Sequence, residues 1–141
     1  MIHVGIIGNG FVGKAMQVFK KSKRIRVSAY DIYPNNCIPF GTTFEDILTC
    51  DIIFISVPTP MNKDGSCNTD IVKGMVTELD NLALVRQCAN RVVVIKSTIP
   101  PGTTERLNKG CKHIQVIFNP EFLTEANFID DFKNQDRIII G

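Results

Sequence analysis

The chain has 141 residues, a formal net charge of +2, and 44% hydrophobic against 21% charged residues. That length suits one domain with its own core, burying roughly two-thirds of the unfolded surface. The small net charge gives no ground for nucleic acid as a partner. No apolar run approaches the ~18 residues of a membrane span, so no membrane association is expected. The N-terminal apolar run is interrupted by His3 and Gly5 and has no basic flank or cleavage site, so no signal peptide is expected. Five cysteines (Cys37, Cys50, Cys67, Cys88, Cys111) are scattered, odd in number and free of any Cys-x-x-Cys pair. This excludes a disulfide framework and a zinc site by spacing, and fits a reducing, cytoplasmic setting with no bound metal.

In chain order, the apolar run 2–7 reads as a strand that ends at Gly8. Gly8-Asn9-Gly10-Phe11-Val12-Gly13 follows, then a helical pattern with Val12, Ala15, Met16 and Phe19 on one face. This is the strand–turn–helix arrangement that binds a dinucleotide. Gly8 permits the tight turn, Gly10 leaves room for a pyrophosphate, and Gly13 lets the helix approach the strand. Lys20 to Arg26 is a local basic cluster, read as a solvated helix end because no aromatic residue is interleaved. A second strand, 25–30, ends at Asp31, eighteen residues after Gly13. An acid at about that spacing accepts hydrogen bonds from the adenosine ribose. No Lys or Arg occurs between Arg26 and Lys63, so the loop after this strand has no cation for a 2′-phosphate. The expected cofactor is therefore NAD.

A short helix through Leu48, capped by Thr42 or Thr43, precedes a third strand over 51–57, apolar on both faces as in a buried parallel sheet. The turn-rich loop Pro58-Thr59-Pro60-Met61 lies where open α/β sheets bind ligands. A long helix follows, capped near Asn68 or Thr69, with Val72, Met75, Val76, Leu79 and Leu82 on its apolar face. Residues 91–96 form a fourth strand, 104–109 a short helix and 114–118 a fifth strand. Asn119 and Pro120 then read as the start of a helix that places Glu121 and Glu125 one turn apart on one face. Two carboxylates that close disfavour ionising together, which is the setting of a general base. Residues 137–141 read as a sixth strand. The expected fold is α/β: a doubly wound parallel Rossmann sheet of about six strands in the order 3-2-1-4-5-6, formed by residues 1–141 as a single domain.

Five stretches together resemble the N-terminal, NAD-binding domain of the UDP-glucose/GDP-mannose dehydrogenase family. They are the glycine turn, Val57-Pro58-Thr59-Pro60, Lys96-Ser97-Thr98-Ile99-Pro100-Pro101-Gly102-Thr103, Asn119-Pro120-Glu121-Phe122-Leu123-Thr124-Glu125, and Asp136-Arg137-Ile138-Ile139-Ile140-Gly141. In that family a sugar C6 alcohol is oxidised to a carboxylate with two NAD molecules, through a thiohemiacetal and a thioester on a cysteine. The resemblance implies that Gly8, Gly10, Phe11, Val12, Gly13, Asp31, Val57, Pro58, Thr59 and Thr98 bind NAD. It also implies that Thr98 holds a water near the reacting carbon, that Glu121 positions the hydrolytic network, and that Glu125 is the general base.

None of the five cysteines sits in a motif matching the family's nucleophile, and Asn68 stands where the family often has aspartate. The family's central helix and C-terminal substrate domain have no counterpart in these residues. The sequence thus predicts the coenzyme part of a nucleotide-sugar dehydrogenase, inactive alone, completed by a C-terminal dehydrogenase domain in another chain and able to form a homo-oligomer. A non-catalytic NAD-binding or partner-binding module is the alternative, and a small-molecule reductase the third reading.

Overall fold

The computed structural model describes residues 1–88 and 90–141. Five strands alternate with helices along the chain: β1 (Ile2–Ile7), α1 (Phe11–Met16), β2 (Ile25–Tyr30), α2 (Phe44–Ile47), β3 (Ile52–Ile55), α3 (Asp70–Val85), β4 (Arg91–Ile95), α4 (Thr103–Gly110), β5 (Ile114–Phe118) and α5 (Phe128–Lys133). The strands form one sheet in the order β2-β1-β3-β4-β5, and every pairing is parallel. The doubly wound parallel fold is as the sequence predicts.

Alternation along the strands divides the core in two. Val4, Ile6, Met16, Val27 and Ala29 bury one face, joined by Phe19, Phe54 and Phe132. Ile7, Ile53, Ile55, Val93, Ile95 and Val116 bury the other, against Ile47 of α2 and Val72, Val76 and Leu79 of α3. Phe54 thus lies opposite its neighbours Ile53 and Ile55. Of the apolar face predicted for α3, Val72, Val76 and Leu79 are fully buried, joined by Ala83, while Met75 and Leu82 are partly buried against the same core. Helix α2 spans only four residues, but a capping box defines it. Thr43 Oγ1 accepts from the Asp46 N–H at 3.2 Å, and Asp46 Oδ2 accepts from the Thr43 N–H at 2.8 Å. The Thr43 N–H and hydroxyl, both donating to the Asp46 carboxylate, hold that carboxyl below its usual range.

All five cysteines are free. Burial, with the Asp51 charge adding to it, pushes the Cys50 thiol up to about 12. No helix among the described residues is long and apolar enough to cross a membrane.

Three expectations need correction. The strand order is 2-1-3-4-5, not 3-2-1-4-5-6, because the third strand lies beside β1 instead of outside β2. A parallel crossover needs about a dozen residues or more. Only residues 31–37 separate Tyr30 from Ile38, so Ile38 returns antiparallel and bridges Ala29 on the outer side of β2. Residues 137–141 form no strand. Gly141 exchanges backbone hydrogen bonds with Phe118, the Asn119 side chain donates to the Ile139 carbonyl at 2.7 Å, and Ile138 to Ile140 stay largely exposed. Residues 119–124 form neither helix nor strand, so the helix predicted from Asn119 is absent, and α5 begins only at Phe128.

The outer edge of β5 is closed by side chains. Asp80 accepts from the Ile114 N–H at 3.2 Å. The Asn108 amide accepts from the Val116 N–H at 2.8 Å and donates to the Val116 carbonyl, imitating a neighbouring strand. Val116 is fully buried, so Asn108→Ala strands two backbone groups. The expected loss is about 1–2 kcal/mol in urea unfolding, with more self-association through the opened edge. A variant as stable and as monomeric as the parent would show that this amide does not guard the edge.

Candidate functional site

The winding reverses between β1 and β3, and in open α/β sheets the ligand crevice lies at that switch, outside the carboxyl ends of the strands. Gly8, Gly10, Gly13 and Asp31 lie at that end of the sheet. Gly8 ends β1 with φ +88°, and a Cβ on it would lie 2.6 Å from the Ser56 carbonyl oxygen. Its N–H donates to the Tyr30 carbonyl at 2.9 Å, and its carbonyl accepts from Ser56 Oγ at 2.6 Å. One residue therefore joins the ends of β1, β2 and β3. Gly10 is the N-cap of α1, and a Cβ on it would meet nothing within 4 Å. A Cβ on Gly13 would collide with the Gly8 carbonyl. The three glycines thus have separate reasons: backbone conformation, open space and helix-to-strand contact.

Asp31 stands at the end of β2, and its carboxylate is fixed from two sides. Oδ2 accepts from the Asn9 N–H at 2.8 Å, and Oδ1 from the Tyr33 N–H at 2.9 Å. Asn9 is a positioning residue that the sequence reading passed over. It is buried, its amide donates to the Asn36 carbonyl at 2.7 Å, and its side-chain oxygen accepts from Gln17 at 3.3 Å. It ties the glycine turn to the loop after β2. The available signal was its place between two glycines. Phe11 is partly exposed, edge-on to Phe128 at 6.3 Å between ring centres, while Val12 packs into the core.

Beyond the switch point, Ser97 Oγ donates to the Val57 carbonyl at 2.7 Å, joining the loops after β3 and β4. Val57 and Thr59 are half-buried, and Pro58 and Thr98 are exposed. The Cys67 thiol lies 3.6 Å from the Thr98 carbonyl oxygen, at the base of the 58–68 loop.

Glu121 and Glu125 do not share a helix face. Glu125 is exposed in a turn. Glu121 is buried beside a cation that the sequence reading did not single out, Lys96. Its Nζ lies 2.7 Å from Glu121 Oε2, with side-chain exposures of 3% and 9%. Asn119 Oδ1 accepts from the same ammonium at 2.8 Å. Glu121 thus faces an opposite charge where the helical reading placed a like one. The Lys96-Ser97-Thr98 stretch carried the signal, but a lysine ending a buried strand needs its partner's position to be read. No cluster of His, Cys, Asp and Glu suited to a metal occurs among the described residues.

A family model described as the NAD binding domain of the UDP-glucose/GDP-mannose dehydrogenase family matches residues 35–141. The chain belongs to this family. It is 36% identical over 107 residues to UDP-glucose 6-dehydrogenase of Pseudomonas aeruginosa, covering 69% of this chain and 23% of the relative. It is 34% identical over 122 residues to UDP-glucose 6-dehydrogenase AglM of Haloferax volcanii, covering 77% and 27%. The solved UDP-glucose dehydrogenase of Pyrobaculum islandicum superposes with a TM-score of 0.84 at 29% identity, covering 100% of this chain and 40% of that one. The chain spans about a quarter of the length of the two sequence relatives. NAD is the cofactor of this domain family. The glycine turn precedes the matched segment, and the structural superposition includes it.

Substitutions at two glycines separate ligand space from packing. Gly10→Val should fold normally by circular dichroism and lose NAD binding by calorimetry. Gly13→Ala should lose about 2–3 kcal/mol of stability, because its Cβ meets backbone that cannot yield. Normal NAD binding by Gly10→Val would place the ligand elsewhere.

Proposed function

We propose that residues 1–141 form the coenzyme-binding part of a nucleotide-sugar dehydrogenase acting on a substrate of the UDP-glucose class. The observation that supports this best is the Asp31 carboxylate held over the glycine turn by the Asn9 N–H, beside the open space at Gly10. Those features fit a dinucleotide. Asp31 accepts from the adenosine ribose, and the backbone N–H groups of Gly10, Phe11 and Val12, at the start of α1, face the pyrophosphate. Gly8 and Gly13 shape that turn. Val57, Pro58, Thr59 and Thr98 border the crevice beyond it.

When bound, NAD supplies the acceptor for a hydride from the sugar alcohol. In this reading the chain's own residues orient and exchange protons. Thr98 would hold a water at the carbonyl carbon of an acyl thioester carried by a cysteine of a further domain, Glu121 would orient the network around it, and the exposed Glu125 would take the water's proton as the C–S bond breaks and the thiolate leaves. The nucleotide sugar is held by a further domain. The exposed Phe122, Ile138 and Ile140 near the β5 edge offer apolar surface for that domain or for a second copy. The free thiols, including buried Cys37 and Cys50, fit a cytoplasmic protein.

Calorimetric titration should show NAD binding more tightly than NADP. Asp31 repels a 2′-phosphate, and no cation follows β2 before Lys63. Equal or tighter NADP binding would overturn the ribose assignment.

The purified chain given NAD and UDP-glucose should produce no NADH. Positioning the alcohol against the coenzyme can contribute ~7–11 kcal/mol, and no group among these residues is assigned to the uridine diphosphate. Steady NADH formation, lost in Glu125→Gln, would mean that the 141 residues assemble a complete active site.

A further inference from the structure

We propose that Lys96 is a positioning residue that cancels the Glu121 charge at the nicotinamide side of the crevice, so that oxidised and reduced coenzyme bind with similar affinity. The inference rests on the cofactor placement proposed above. With the adenosine ribose at Asp31 on β2 and the pyrophosphate at the β1–α1 turn, the nicotinamide lies on the other side of the switch, over the ends of β3, β4 and β5. Lys96 directly follows β4, and Glu121 lies three residues beyond β5.

Three features make Lys96 a partner of Glu121 and not of a ligand. Its side chain is only 3% exposed. Its ammonium already contacts Asn119 Oδ1 at 2.8 Å and Glu121 Oε2 at 2.7 Å. The ring of Phe132 on α5 lies 6.0 Å away and adds a third contact. Glu121 Oε1 accepts from the Phe122 N–H at 2.9 Å. Oε2 has no partner in hydrogen-bond geometry, so its contact with Nζ is Coulombic. A buried ion pair adds little stability over apolar residues of the same volume. At the ligand end of the sheet it has a different use: the carboxylate stays oriented while the local net charge stays at zero.

Oxidised and reduced coenzyme differ in charge only at the nicotinamide ring, so their affinity ratio reads the field there. Binding of NAD+, NADH and ADP-ribose should be measured for the parent chain, Lys96→Met, Glu121→Gln and the double variant. Lys96→Met exposes a lone carboxylate and should move the ratio roughly three- to tenfold toward NAD+. Glu121→Gln should move it by a similar factor toward NADH, and the double variant should return near the parent. ADP-ribose, lacking nicotinamide, should bind all four alike. If Lys96→Met does not fold, Glu121→Gln decides with the opposite sign, since it keeps the side chain's shape. Equal changes for NAD+ and NADH would reduce the pair to a structural role and overturn this inference while leaving the cofactor site intact. A parent chain that binds neither nucleotide would overturn the cofactor placement and the inference together.

Discussion

The ligand end of this domain depends on the backbone of Gly8. Its N–H bonds to the end of β2, its carbonyl accepts from Ser56 at the end of β3, and α1 presses on it through Gly13. A side chain is excluded twice there, by the positive φ and by the Ser56 carbonyl. With that point fixed, the neighbouring groups have little freedom. Asn9 turns its N–H to Asp31 and its amide to the following loop, and Gly10 is left open at the head of α1. The turn is built from backbone, and it leaves the head of α1 open.

The far side of the crevice is organised differently. There the backbone gives way to buried side-chain charge. Parallel pairing brings Ile95 beside Phe118, so the residues just past each strand, Lys96 and Asn119, emerge together. The chain then forms an irregular segment instead of a helix, and Glu121 lies against the Lys96 ammonium. Helix α5 sets Phe132 beside the Lys96 ammonium and also packs on Phe11 of α1 and on Phe19 in the 3-10 turn after it. The two halves of the crevice are therefore linked through one helix as well as through the sheet.

The sequence reading succeeded where signals were local. Strands β1 to β5 stood out as apolar runs, and α3 as a stripe with helical period. The glycine turn and Asp31 needed only their order and spacing. It failed where two local signals competed with a distant partner. Asn119-Pro120 has the chemistry of a helix start, but the Asn119 amide is used on Lys96 and on the Ile139 carbonyl. The 137–141 run has the composition of a strand, but it pairs with β5 at one position only.

The sequence by itself determined the class of fold, the glycine turn, the acid at the end of β2 and the family motifs, because each rests on residues a few positions apart or on spacing along one strand. The tertiary structure alone decided on which side of β1 the third strand lies. The 31–37 connection is too short for a parallel return, so the outer place beside β2 went to an antiparallel bridge. It alone decided that Glu121 faces Lys96 and not Glu125. The partners of a buried charge are set by the register of β4 on β5 and by what α5 covers, and neither is written in the spacing of the carboxylates themselves.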